Sequence, residues 1–224
     1  MENQKHEENI QKIIQLVQNY APILHYHNAT HALEVWNIAR QYALSGKINC
    51  EDKQALEVAA LLHDIIVVPG KQDNEEKSAD FAEAYTRNLG YSFKQTDTAK
   101  RLILATKMPQ NPKSYLEELI CDSDLDNLGR PDFLIKGDLL RQELELPENV
   151  DWYKRQLDFI KNHNYFTDLA KNFRNPVKLE NIEKLKDIII LQKKLNIKRE
   201  MRLMDYLLRV YRYILKKYLF SKPS

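Results

Sequence analysis

Apolar residues recur at three- and four-residue spacing along nearly the whole chain, and only five glycines and eight prolines among 224 residues interrupt them. That period belongs to helices that bury one face, so the expected fold class is all-α, and no stretch reads as a strand. Ile10, Ile13, Ile14 and Val17 open a first helix that Pro22 ends before the Tyr26-His27-Asn28 corner. A second helix is expected over 30–44, closing near Gly46. A third is expected over 51–68, where Val58-Ala59-Ala60-Leu61-Leu62 is too continuous for a solvated face and marks a central element. His63 and Asp64 fall at its inner end. After Pro69-Gly70, Asn74 reads as an N-cap, with Glu75 and Glu76 in the first turn, where the helix dipole favours acids. Further helices are expected near 94–107, 113–125, 131–144, 151–163 and 178–195, with prolines between them.

The length allows one large domain with a substantial core, expected over 1–197. Lys plus Arg number 34 against 32 Asp plus Glu, a net +2, so no general acidic or nucleic-acid-binding surface is indicated. Cys50 and Cys121 show no CxxC spacing, which argues against a disulfide scaffold or a structural zinc site and for buried, reduced thiols. The polar start MENQKHEENIQKII is unlike a secretory signal, and no run of apolar residues is long enough for a transmembrane helix. A cytoplasmic protein is the expectation.

The segment 198–224 stands apart, with eight basic residues against Glu200 and Asp205. Leu203, Leu207, Val210, Tyr211, Ile214, Leu215 and Tyr218 fall on one broad side, so a separate basic amphipathic helix is expected. Packing on its own domain or on a second subunit is the first reading. An acidic partner, RNA or a lipid surface is the alternative.

Chemistry concentrates in His31, the pair His63-Asp64 and Asp124. Imidazole and carboxylate together suit a borderline to hard divalent ion such as Mn, Mg, Ni, Co, Fe or Zn. An unpaired carboxylate at the end of an apolar helix would cost several kcal/mol, on the order of what a bound cation removes. His27 sits one turn before His31 at a helix start, where it can reach a substrate oxygen and donate a proton. Glu75 can take a proton from water, and Lys107 can face a substrate phosphate. Each has a plainer reading as a core histidine, a helix-end acid or a solvated lysine.

The words YHNATH, LLHD and CDSDLDNLG together resemble the HD-domain superfamily of metal-dependent phosphohydrolases over roughly residues 10–190. That resemblance implies an HD helical bundle in which His31, His63, Asp64 and Asp124 hold the first metal, with Asp122 as the competing last ligand. His63-Asp64-Ile65-Ile66 followed by Asn74-Glu75-Glu76-Lys77-Ser78-Ala79 is similar to a bacterial branch of predicted HD phosphohydrolases. Tyr26-His27-Asn28-x-x-His31 is distantly similar to the cyclic-nucleotide phosphodiesterases, whose first histidine protonates the leaving oxygen, which implies the same role for His27. The chain departs from those enzymes at Ile66-Val67-Val68-Pro69-Gly70, which lacks their second histidine, and from the bacterial branch at Thr106-Lys107-Met108, where its members tend to carry one or more histidines after the threonine.

The resulting expectation is metal-dependent hydrolysis of a small phosphoester, a phosphomonoester or nucleotide, with Asp64 essential, Glu75 assisting water and His27 protonating the leaving group. The rival is a non-catalytic module that binds a nucleotide or a protein and keeps its metal for structure. A homo-oligomer is compatible with either reading, and a nucleic-acid partner is not expected.

Overall fold

The computed structural model describes the backbone of residues 2–45 and 48–219 and the side chains of 4–45 and 48–212. Among these there is no strand. In chain order the helices are α1 (Glu2–Tyr20), α2 (Ala29–Ser45), α3 (Cys50–Leu62), α4 (Asn74–Asn88), α5 (Phe93–Ala105), α6 (Tyr115–Asp124), α7 (Phe133–Glu143), α8 (Val150–Asn162) and α9 (Asp168–Leu219). A short 3-10 turn, Asp126–Gly129, joins α6 to α7. Gly46, expected to close the second helix, lies outside the described residues, as do 220–224 of the expected tail.

α3 is the axis of the bundle. Asn49 caps it, its side chain accepting from the Asp52 amide at 2.9 Å, and every residue from Gln54 to Leu62 is buried. It touches α1, α2, α4, α5 and α6. Each leucine sealed there contributes about 2 kcal/mol of transfer free energy. The same period that marked α1 gives its inner face, Ile10, Ile13 and Val17, all fully buried. Gly90 ends α4 with a φ of 78°, a left-handed conformation that needs glycine, and Ser92 with Gln95 forms a capping box that starts α5.

Four expectations need correction. The third helix ends at Leu62 rather than Val68. Residues 65–68 are instead braced by side chains of α4: the Ile66 amide donates to Ser78 Oγ at 3.1 Å and the Val68 amide to Asn74 Oδ1 at 3.0 Å. Asn74 is therefore a loop brace and not the cap, a position held by Asp73. Cys50 is exposed, and only Cys121 is a buried thiol.

The fourth concerns the last helix. Pro176 does not separate two elements but lies inside α9, a continuous helix of 52 residues. Proline removes one helical hydrogen bond, yet packing on either side overrides that loss. Ala170, Ile182 and Leu185 are buried, and Asn181 Nδ2 donates to the carbonyls of Leu128 (3.1 Å) and Arg130 (2.8 Å). Ile189 is the last buried residue; from Ile190 to Arg212 every side chain is exposed except the half-buried Gln192. This stretch does not pack on its own domain. No helix among the described residues is long and apolar enough to cross a membrane.

Candidate metal centre and its cavity

Asn28 sets the first wall of the site. Its Oδ1 accepts from the amides of Thr30 (2.9 Å) and His31 (3.2 Å), while its Nδ2 donates to the Leu24 and His25 carbonyls. That double bracing starts α2 and aims His31 inward, and the Tyr26 ring lies against its imidazole at a centroid distance of 4.8 Å.

His63 comes from the turn that closes α3, and Asp124 is the last residue of α6. His63 Nε2 lies 3.1 Å from Asp64 Oδ2 and 3.4 Å from Asp124 Oδ1. His31 Nε2 lies 3.5 Å and 3.3 Å from the same two oxygens, and the two Nε2 atoms face each other at 3.4 Å. One ligand atom from each of the four residues falls within 4.8 Å of all the others. His63 Nδ1 donates to the Ala60 carbonyl at 2.9 Å, so the neutral ring presents a lone pair on Nε2, the form that ligates a metal. Two imidazole nitrogens meeting two carboxylates in a buried pit form a donor set that fits one divalent cation.

The charges in this pit hold one another. Burial alone would raise Asp64 and Asp124, but the two histidines keep both carboxylates below their ordinary range. Burial would lower His63, and the Asp64 and Asp124 charges push it above its ordinary value instead. Gln110 Nε2 donates to Asp124 Oδ2 at 3.3 Å and so orients the oxygen that the histidines do not contact.

Asp122 is not part of the cluster. Its Oδ1 accepts from the Phe166 amide (2.8 Å), and its Oδ2 from the Thr167 amide (2.8 Å) and hydroxyl (2.7 Å), fastening the start of α9. Lys107 also lies apart. Its ammonium pairs with Glu76 and donates to the Gln72 carbonyl at 2.7 Å, and it borders a neighbouring groove rather than the cavity above the cluster.

That cavity, about 420 Å³, is floored by Asp64 and Asp124 and bordered by His27 and Glu75. Its far wall comes from α7 and α8: Phe133, Leu140, Trp152 and Phe159 give an apolar surface, with Lys136 and Arg155 among them. Lys136 is paired with Glu34 at 2.7 Å.

Sequence reasoning missed Glu143. It is buried, and its Oε2 accepts from the amides of Tyr26 (2.8 Å) and His27 (2.9 Å) while its Oε1 accepts from His27 Nδ1. Burial lowers the His27 pKa, but the Glu143 hydrogen bond and the Asp64, Glu143 and Asp124 charges outweigh it and hold the ring above its ordinary value. One signal was present: Glu143 is an acid in the last turn of α7, the end where the dipole disfavours negative charge.

The family model for the HD domain matches residues 28–130. No curated protein matches the chain. Among solved structures, the crystal structure of Bacillus subtilis YpgQ in complex with ADP aligns with a TM-score of 0.60 and 16% identity, over 80% of this chain and 97% of that chain. At that identity the likeness is one of fold. The matched family region ends before α7 and α8, so the far wall of the cavity lies outside it.

Proposed function

Residues 28–130 are an HD domain, and from that premise we propose that the protein is a metal-dependent phosphohydrolase acting on a small phosphoester of the nucleotide class. The observation that carries this reading is the convergence of His31, His63, Asp64 and Asp124 beneath a cavity that also presents His27 and Glu75. Members of the family are commonly metal-dependent phosphohydrolases, and the YpgQ structure of like fold was solved with ADP.

A divalent cation held by the four residues would supply Lewis acidity at the phosphoryl group and make water a nucleophile near neutral pH. The remaining steps belong to side chains. Glu75 accepts a proton from the attacking water. His27, held at Nδ1 by Glu143, turns Nε2 toward the cavity and donates its proton to the departing oxygen. The apolar wall from Phe133, Trp152 and Phe159 receives a planar leaving group, and Arg155 adds positive charge for phosphate oxygens.

The test is phosphate release from a panel of nucleotides and simple phosphoesters with Mn, Mg, Ni and Co, run on wild type and Asp64→Ala together with metal analysis. Release that vanishes in Asp64→Ala, with unchanged helix content, is the expected result. A wild type that retains metal and releases no phosphate from any compound would overturn the hydrolase in favour of a binding module.

A further inference from the structure

The exposed half of α9 has two sides of different chemistry. At 100° per residue, Leu203, Leu207, Tyr211, Met204, Leu208 and Met201 span an arc of about 160°, broken by Glu200. Met204 is 64% exposed and Leu207 54%. Beside that arc, Lys198, Arg202, Arg209 and Arg212 form a basic stripe with Asp205 among them.

We propose that this helix docks, apolar side down, on an anionic lipid surface. A helix with a wide apolar face, a basic polar face and low mean hydropathy lies in the plane of the headgroups. Arg212 stands at the edge of the arc, and the long side chains of Lys198, Arg202 and Arg209 on the polar side add positive charge complementary to a negatively charged leaflet. A nucleic acid would leave the apolar arc in water. A parallel coiled coil with a second copy through Ile197, Met201, Met204, Leu208 and Tyr211 would set Lys193 against Lys198 and Glu200 against Asp205, like charges at both flanking positions. Such a seam would also cover only part of the arc.

The experiment is co-sedimentation of the 224-residue chain with vesicles of phosphatidylcholine alone and with added phosphatidylglycerol, at low and high salt. Binding to the anionic vesicles at low salt, weakened by salt and absent on the neutral ones, is expected. Each basic residue near such a surface strengthens binding about fivefold, so Arg202→Glu/Arg209→Glu/Arg212→Glu loses about a hundredfold or more. Leu207→Asp/Leu208→Asp loses binding through the other face. All five positions are exposed beyond the core, so both variants melt like wild type. No partition into anionic vesicles at low salt, equal partition into both kinds, or binding unchanged in both variants overturns the proposal. So does a stable oligomer, broken by Leu207→Asp/Leu208→Asp, that leaves vesicles in solution, or tail-dependent RNA binding without vesicle binding.

Discussion

Glu143 and His27 are 116 residues apart in sequence, yet one carboxylate accepts both the His27 imidazole Nδ1–H and its backbone N–H. The histidine is thereby fixed in position and in tautomer at once. Glu143→Gln keeps an acceptor but removes the charge, so kcat for phosphate release should fall about 10- to 100-fold with little change in KM. Glu143→Ala should in addition destabilise the fold by about 1–3 kcal/mol, because the Tyr26 and His27 amides lose their acceptor. Steady-state kinetics and urea melts read the two effects separately; equal kcat in Glu143→Gln and wild type would show that the contact is structural only.

The two aspartates near the end of α6 should separate cleanly. Asp122→Asn keeps an acceptor for only one of the Phe166 and Thr167 amides and turns its NH2 toward the other, which should cost about 1–3 kcal/mol in a urea melt while sparing metal content. Asp124→Asn should leave the helix content of the metal-free protein unchanged and abolish tight metal binding, measured by circular dichroism and calorimetry. Retained metal in Asp124→Asn would remove it from the ligand set.

Chelation should lower the melting temperature reversibly without unfolding the domain. The pit is preformed by Asn28, by the Ala60 carbonyl and by Gln110, none of which needs the ion to hold its place. Binding at a hundredfold excess over Kd adds about 2.7 kcal/mol, which corresponds to about 5–10 °C for a chain of this size. Loss of the helical circular-dichroism signal on chelation at 25 °C would contradict the preformed site.

His163 predicts an acid limb in stability. Its ring packs edge-on against Tyr165 at 4.6 Å, and burial, reinforced by the Lys178 charge, pushes its pKa down to about 4. Unfolded, the ring titrates near about 6.5. Its contribution is whole above that value and is lost as pH falls from about 6.5 toward 4, because only the unfolded chain takes the proton in that window. His163→Phe keeps the ring contact and should lose on the order of 1 kcal/mol less than wild type between about pH 7 and pH 5. Parallel slopes for the two proteins would place the imidazole in water.

What could be read from the chain in advance was local. Ile10, Ile13 and Val17 declare a buried helix face within eight residues, and the run Val58 to Leu62 declares a central one. His31, His63, Asp64 and Asp124 sit in short words whose neighbours, Asn28 above all, set their direction, and all four converge. What escaped was nonlocal. Glu143 reaches back across six helices, the Lys107 ammonium is taken by Glu76, and the continuity of α9 through Pro176 rests on Asn181 gripping the Leu128 and Arg130 carbonyls. The early end of α3 has the same origin, since Ser78 and Asn74 hold the loop after Asp64 in place of helical bonds.

The cavity is built from two separately encoded stretches of chain: the cluster lies within 31–124, and much of the opposite wall lies within 133–159. Inheritance can therefore act on them independently. Substitutions along one short contiguous piece can reshape the far wall while the four clustered residues stay untouched, so two descendants of this fold could share the cluster and differ in the space above it.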